Sequence, residues 1–377
     1  MIKHAIQSTM FSALSLVRSP PQVEELGSKL DSAGVPFTLD ACRACADPCD
    51  LGHEEWPNRF DVDLSSDMLG SVKPYARQVV ISTGKSDWAR EVTEESNSLA
   101  EHLSHVHGKL VASSTARTSK SGDAPAGVFT ASNSTRLSVL NGSHREVGCA
   151  PKTHTVLVFP DYKLVKDVPA TNEGASELWK AALDPAVGVE GKVNPGMKSW
   201  TLPYSAVILL CSHKRRDNRC HIAAPVLEDG KFIFKRVKQR TKLVAAFTTS
   251  LASLGWDVHT QIDDPAEHGQ TALEDLPEPR AEATREQLHS LRQPESDFAQ
   301  RVLILRNSHI GGNLHVGHKF AGNVIIYFPT GNGVWYGRVS AHEVQSVVES
   351  TIIRGKVLPA LLRGGTFKRD GHLLMDW

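Results

Sequence analysis

Short apolar runs alternate along the chain with helix-spaced segments. "YSAVILLC" (204–211) is the clearest of them. A continuous apolar run of this length is what a strand covered on both faces requires. "ARQVVISTG" (76–84), "HTVLVFPDYKLV" (154–165), "WDVHTQI" (256–262), "RVLILRNSH" (301–309), "NVIIYFP" (323–329) and "GVWYGRVS" (333–340) also read as strands. The spacing of Trp88, Val92, Leu99 and Leu103 predicts a helix over 87–103, capped by Asp87. Further helices are predicted over 175–183, over 240–255, where Gly255 stops the pattern, and over 341–353. Two polar tracts interrupt this order. Residues 112–147 are rich in Ser, Thr, Gly and Asn and read as a loop. Residues 263–299 carry Pro265, Pro277, Pro279 and Pro294 and read as a solvated insertion. No repeat is visible.

The expected fold class is α/β in two domains, compatible with a small thioredoxin-like sheet in the second. The expected boundaries are an N-terminal segment at 1–35, an α/β domain at 36–199, a mixed sheet flanked by helices at 200–360 and a tail at 361–377. The length of 377 residues permits more than one core.

Composition narrows the function classes. Lys plus Arg and Asp plus Glu are 42 each, so charge gives no case for nucleic acid or an acidic membrane surface. No apolar run approaches the ~20 residues of a membrane-spanning helix. The 6 cysteines, unevenly placed in a long chain, do not resemble a secreted disulfide scaffold. The first residues, "MIKHAIQSTMFSALSLVRSPP", lack an acid before Glu24 and resemble a weak mitochondrial presequence.

The chemistry gathers at two places. "CSHKRRDNRC" sets Cys211 and Cys220 just after the apolar strand, as a disulfide, a metal site or a redox thiol pair. "NSHIGGNLHVGHKFAGN" (307–323) puts His309, His315 and His318 in a glycine-rich connection between two strands. Two Cys and two His at strand ends make an N/S metal site. Zinc takes such a set as a closed tetrahedron, and a 2Fe–2S cluster takes it with two imidazoles replacing two thiolates on one iron.

These two motifs, with "VWYGRV", "ACRACADPC" and "SVKPYARQVVISTGKSDW", resemble the sucrase/ferredoxin-like family, over most of the chain. The resemblance implies a C-terminal thioredoxin-like ferredoxin domain that holds a 2Fe–2S cluster through two Cys and two His. The family's cysteines fall on Cys211 and Cys220, and its second histidine falls on His318. Its first falls on His309, which keeps the Ser-His-x-Gly-Gly context, or on His315, which lies nearer His318. The function implied is electron transfer rather than catalysis, with a redox partner protein of unknown identity. A thioredoxin-like thiol oxidoreductase and a zinc-stabilised interaction protein are the alternatives.

Around the cysteines, Lys214, Arg215, Arg216 and Arg219 are expected to offset a reduced cluster's charge, dock an acidic partner or face solvent. Asp217 and Asn323 are expected to be plain turn residues or to brace loops by hydrogen bonds, and His213 and His221 to be exposed. Cys42, Cys45 and Cys49 read as structural or incidental, or as a second thiol or metal site, with no histidine nearby in sequence except His53. Cys149 is expected to be inert. The last residues, Met375, Asp376 and Trp377, resemble the C-terminal signal by which cytosolic iron–sulfur clients meet their assembly machinery. That favours a cytoplasmic protein, with a mitochondrial one as the alternative.

Overall fold

The computed structural model describes residues 20–43, 45–46, 49–50, 62–73, 75–114, 136–148, 150–184, 196–223, 243–308 and 318–367, the side chains of 20, 21, 111–114 and 318 excepted. In chain order the elements are α1 (Pro20–Ser32), β1 (Arg77–Ser82), α2 (Leu99–Ser114), β2 (Leu137–Gly142), β3 (Thr153–Phe159), β4 (Lys163–Pro169), α3 (Asn172–Leu178) and β5 (Ser199–Thr201). There follow β6 (Ala206–Cys211), α4 (Asn218–Ala223), α5 (Leu243–Ser253), β7 (Asp257–His259), α6 (Arg280–Ser290), β8 (Arg301–Asn307), β9 (Val324–Tyr327), β10 (Gly333–Tyr336), α7 (Ala341–Ser346) and β11 (Leu362–Thr366). α3 and α7 each continue into a wider helical stretch, over Trp179–Leu183 and Val347–Ile353.

All the strands join one mixed sheet, ordered β11-β10-β9-β6-β8-β2-β1-β3-β4-β5, with β7 on β8. The connectivity is used twice. β1 pairs parallel with β2 and antiparallel with β3, which turns back into β4 before α3. β6 likewise pairs parallel with β8 and antiparallel with β9, which turns back into β10 before α7. A strand–helix–strand unit followed by a hairpin and a helix is the arrangement expected of a thioredoxin-like domain, and both halves of the chain have it. The halves meet edge to edge at β2 and β8, where Gly142 faces Asn307. Ser143 N–H donates to the Arg306 carbonyl and Ser308 N–H to the Asn141 carbonyl, both at 2.8 Å. A faint repeat accompanies this symmetry: "LNGSH" (140–144) ends β2 and "LRNSH" (305–309) ends β8.

Alternation along the strands sorts side chains between the two faces. Ala206, Ile208 and Leu210 of β6 join a core with α5 and α7, whereas Val207, Leu209 and Cys211 join the core of the opposite face. That opposite core also takes Val80 of β1, Leu140 of β2 and Leu157 of β3. A third core packs β1 and β3 on α2 and α3. One sheet and one shared core therefore run through both segments expected as separate domains.

Several expectations shift. The helix predicted over 87–103 begins instead at Leu99, because Ser98 Oγ accepts from Glu101 N–H and Glu101 accepts from Asn97 N–H, closing a capping arrangement there. Asp87 is used elsewhere: its carboxylate accepts from Arg215 N–H. The strand character expected over 154–165 is present as the hairpin β3–β4, which turns at Tyr162 with φ 58° over the buried Asp161, itself paired with Arg77 at 3.1 Å. The loop expected over 112–147 contains β2. The insertion expected to be solvated, 263–299, contains α6 and buries Ala272, Leu288 and Leu291 on the shared core. Pro277, Pro279 and Pro294 lie on its outer face, whereas Pro265 is buried. The segment before residue 36 contributes α1, whose Leu26 and Leu30 enter the core with α5.

Candidate metal centre

Cys211 ends β6 and Cys220 lies in α4. They are 2% and 0% exposed, and neither is in a disulfide. Between them the chain makes a turn held by its own charges. Asp217 N–H donates to the His213 carbonyl, and the Asp217 carboxylate takes Arg219 N–H, Nε and Nη2 at 2.9, 3.0 and 2.7 Å. Arg216 binds Glu91 and the Arg90 carbonyl, and Arg215 binds Asp87. Three of the four basic residues thus pair with carboxylates of this chain, while Lys214 and Arg215 remain exposed. The expectation for His213 is corrected: it is 1% exposed and donates from Nε2 to the Trp88 carbonyl at 3.0 Å. The expected bracing by Asp217 and Asn323 is present.

The turn returns Cys220 to Cys211. The Cys220 thiol is held well above its ordinary range, first by its hydrogen bond with Cys211, then by burial and by the negative charge of Cys211 and Asp217; Arg363 opposes them. Arg363, in β11, gave no signal in the sequence reading. It is 1% exposed, and burial lowers its pKa to about 10 against the attraction of both cysteines. Its Nε donates to Ser71 Oγ at 2.9 Å, its Nη1 donates to Asn323 Oδ1, and its guanidinium lies 5.5 Å from the Phe320 ring centroid. Its Nη2 is buried without a hydrogen-bond partner among the described residues, as is Asn307 Oδ1.

The histidine-bearing connection starts and ends at Cys211. Asn307 pairs with Cys211 in the β6–β8 ladder, and its carbonyl accepts from Ser212 N–H at 3.1 Å. At the other end the Asn323 carbonyl accepts from Cys211 N–H at 3.2 Å. Gly322 makes the final bend, with φ +89° and an ideal Cβ position only 2.1 Å from the Val339 carbonyl oxygen. The backbone of His318 opens a short helical turn, His318–Phe320. His309 and His315 lie outside the described residues, as do Cys149, Met375, Asp376 and Trp377. In the other half Ser82 pairs with Gly142 as Cys211 pairs with Asn307, so the first half has a serine where the second has its sulfur. There the histidine two residues beyond the pair, His144, is fully buried, and burial lowers its pKa to about 4.

A second group stands apart from this one. Cys45, Cys49 and His342 place one donor atom each within 4.8 Å of one another, so they can hold a metal ion. Cys45 Sγ is 3.1 Å from His342 Nδ1. His342 comes from α7, 297 positions away, and only the fold could reveal it. Cys42, grouped with the other two on sequence, is not part of it. Its side chain packs against the core of α5 and α7, where burial and the Glu343 charge push the thiol up to about 12.

A family profile, Sucrase/ferredoxin-like, matches residues 68–364. The chain belongs to the sucrase/ferredoxin-like family. Altered inheritance of mitochondria protein 32 of Debaryomyces hansenii is 23% identical over 331 residues, covering 82% of this chain and 89% of the relative. Its counterpart in Clavispora lusitaniae is 46% identical over 59 residues, covering 16% of this chain and 20% of the relative. Actin patches distal protein 1 of Saccharomyces cerevisiae is 30% identical over 150 residues, covering 39% of this chain and 30% of the relative. No solved structure matches. Among the described residues no helix is long and apolar enough to cross a membrane.

Proposed function

We propose that this member of the family is an iron–sulfur electron-transfer protein, with a 2Fe–2S cluster held by Cys211, Cys220, His318 and His309, or His315 in place of His309. The observation that carries the reading is the pair of neighbouring buried thiols, neither in a disulfide, beside a buried arginine whose Nη2 has no hydrogen-bond partner among the described residues. Such a group suits an anionic, sulfur-rich guest, because two thiolates this deep need a fixed counter-charge. When bound, such a cluster supplies reversible one-electron transfer. The chain's own part is to hold Cys211 rigidly at the end of a strand buried on both faces and to keep water from both sulfurs. Arg363 favours negative charge at the thiolates, and Asn323 fixes both Arg363 and the Cys211 backbone. Imidazole ligands lower the site's negative charge relative to four thiolates and carry a second nitrogen that can take a proton near neutral pH.

A dithiol oxidoreductase is the weaker reading. The sulfurs do touch, but a buried thiol held above its ordinary range is a poor nucleophile. The proposed compartment is the cytosol, supported by the resemblance of Met375, Asp376 and Trp377 to an assembly signal. The mitochondrion is the alternative, supported by the presequence-like first residues and by relatives named for mitochondrial inheritance. The deciding experiment measures iron, acid-labile sulfide and visible absorption of anaerobically purified chain. Separate Cys211→Ser, Cys220→Ser, His309→Ala, His315→Ala and His318→Ala variants follow. A coloured wild type bleached by both cysteine changes, by His318→Ala and by one of the other two histidine changes agrees with the proposal. A colourless chain with stoichiometric zinc at these cysteines refutes it.

A further inference from the structure

We infer that Cys45, Cys49 and His342 bind a zinc ion that clamps the N-terminal stretch onto α7, separate from the Cys211–Cys220 centre. Two thiolates and a neutral imidazole are the N/S donor set that zinc prefers, and their donor atoms already converge within 4.8 Å. Together with the dication they make a neutral group, which suits a site that is part buried. One position of a zinc tetrahedron remains for water.

The clamp has mechanical sense. Residues 38–43, 45–46 and 49–50 contain no helix or strand. Upstream the chain is tied by Phe37, bridged to Val357, and by Thr38 N–H, which donates to the Val357 carbonyl at 2.9 Å. Ser346 Oγ donates to the Ala41 carbonyl at 3.1 Å, and Cys42 enters the core. Beyond Cys42 the Cys45–His342 contact adds a further tie to α7. His342 is itself well placed to receive the stretch. It is 3% exposed, and α7 is started by Ser340 and Glu343, whose side chains cap each other's backbone N–H groups. Joining segments 297 positions apart closes a long loop of the unfolded chain, so binding energy appears as folding energy.

The test is metal analysis of the full chain, purified under reducing conditions without chelator, with zinc and iron counted separately. Stoichiometric zinc is expected, falling to background in Cys45→Ala, Cys49→Ala and His342→Ala. Iron and visible absorption should stay at the wild-type level in those variants, and His342→Cys should keep its zinc. Wild type loaded with cobalt should show thiolate-to-metal charge transfer that Cys45→Ala lacks. Zinc-free wild type after incubation with zinc, a Cys45–Cys49 disulfide in thiol mapping, iron at these ligands, or zinc retained in Cys45→Ala would each overturn the inference. A colourless chain that still binds zinc at Cys45 and Cys49 would refute the iron–sulfur proposal alone.

Discussion

Gly322→Ala is expected to cost the protein stability and, on the proposed cluster, iron, for a reason readable atom by atom. Gly322 has φ +89°, a conformation that costs an L-residue about 1–3 kcal/mol. The added methyl would stand 2.1 Å from the Val339 carbonyl oxygen, 2.7 Å from its nitrogen and 2.9 Å from its carbonyl carbon. All three are backbone atoms, and Val339 N–H donates to the Gly322 carbonyl at 3.1 Å, so relief means breaking that bond. A lost hydrogen bond adds roughly 0.5–1.5 kcal/mol. The sum is about 2–4 kcal/mol, or roughly 30- to 1,000-fold in the ratio of folded to unfolded chain. The displacement would pass to Asn323, whose carbonyl binds Cys211 N–H and whose side chain binds Arg363. Urea unfolding and iron content are the assays. An alanine variant with wild-type midpoint and wild-type iron would refute the reasoning about this bend.

Three further outcomes are expected. Arg363→Met should lower the reduction potential of the loaded protein by about 40–170 mV, corresponding to ~1–4 kcal/mol between unit charges about 4 Å apart as the effective dielectric runs from about 80 to about 20, and a spectroelectrochemical titration reads it. An unchanged potential would deny Arg363 its role as counter-charge. His144 has its pKa lowered by burial from 6.5 to about 4, so unfolding takes up a proton between those values; its stabilising contribution is complete above pH 6.5 and is lost as pH falls toward 4. Over that window His144→Leu should flatten the decline of stability with acid by about 3 kcal/mol, seen in urea midpoints at several pH values. Leu291→Ala should cost about 2–5 kcal/mol in the same assay, because Leu291 is 1% exposed in the shared core; a cost near zero would restore the picture of a solvated insertion.

The legible parts of this chain were those whose cause is local. β6 and β8 announce themselves because a strand covered on both faces has no polar positions to spare. α5 and α7 follow from helical spacing and, for α7, from Ser340 and Glu343. α2 begins later than predicted because Ser98, not Asp87, caps it, and Asp87 is taken by Arg215, 128 positions away. α6 was misread because its outer face is charged, whereas Thr284 and Leu288 are buried on the inner one. The duplicated connectivity left almost nothing in the residues beyond "LNGSH" and "LRNSH", since a sheet topology constrains hydrophobicity and turns rather than identities.

The same division holds for the candidate centres. The chain alone was enough to name Cys211, Cys220 and the histidine connection, because donor types and glycines sit in short motifs beside strand ends. Only the folded sheet could show that Asn307 and Asn323 anchor that connection to Cys211, that Arg363 lies within electrostatic reach of both cysteines, and that three of the neighbouring basic residues are already paired. Only it could separate Cys42 from Cys45 and Cys49 and supply His342. The physical reason is one of range. Strand and helix signals arise from neighbours a few positions apart, whereas counter-charges and third ligands come from wherever the sheet brings distant strands within a few ångströms.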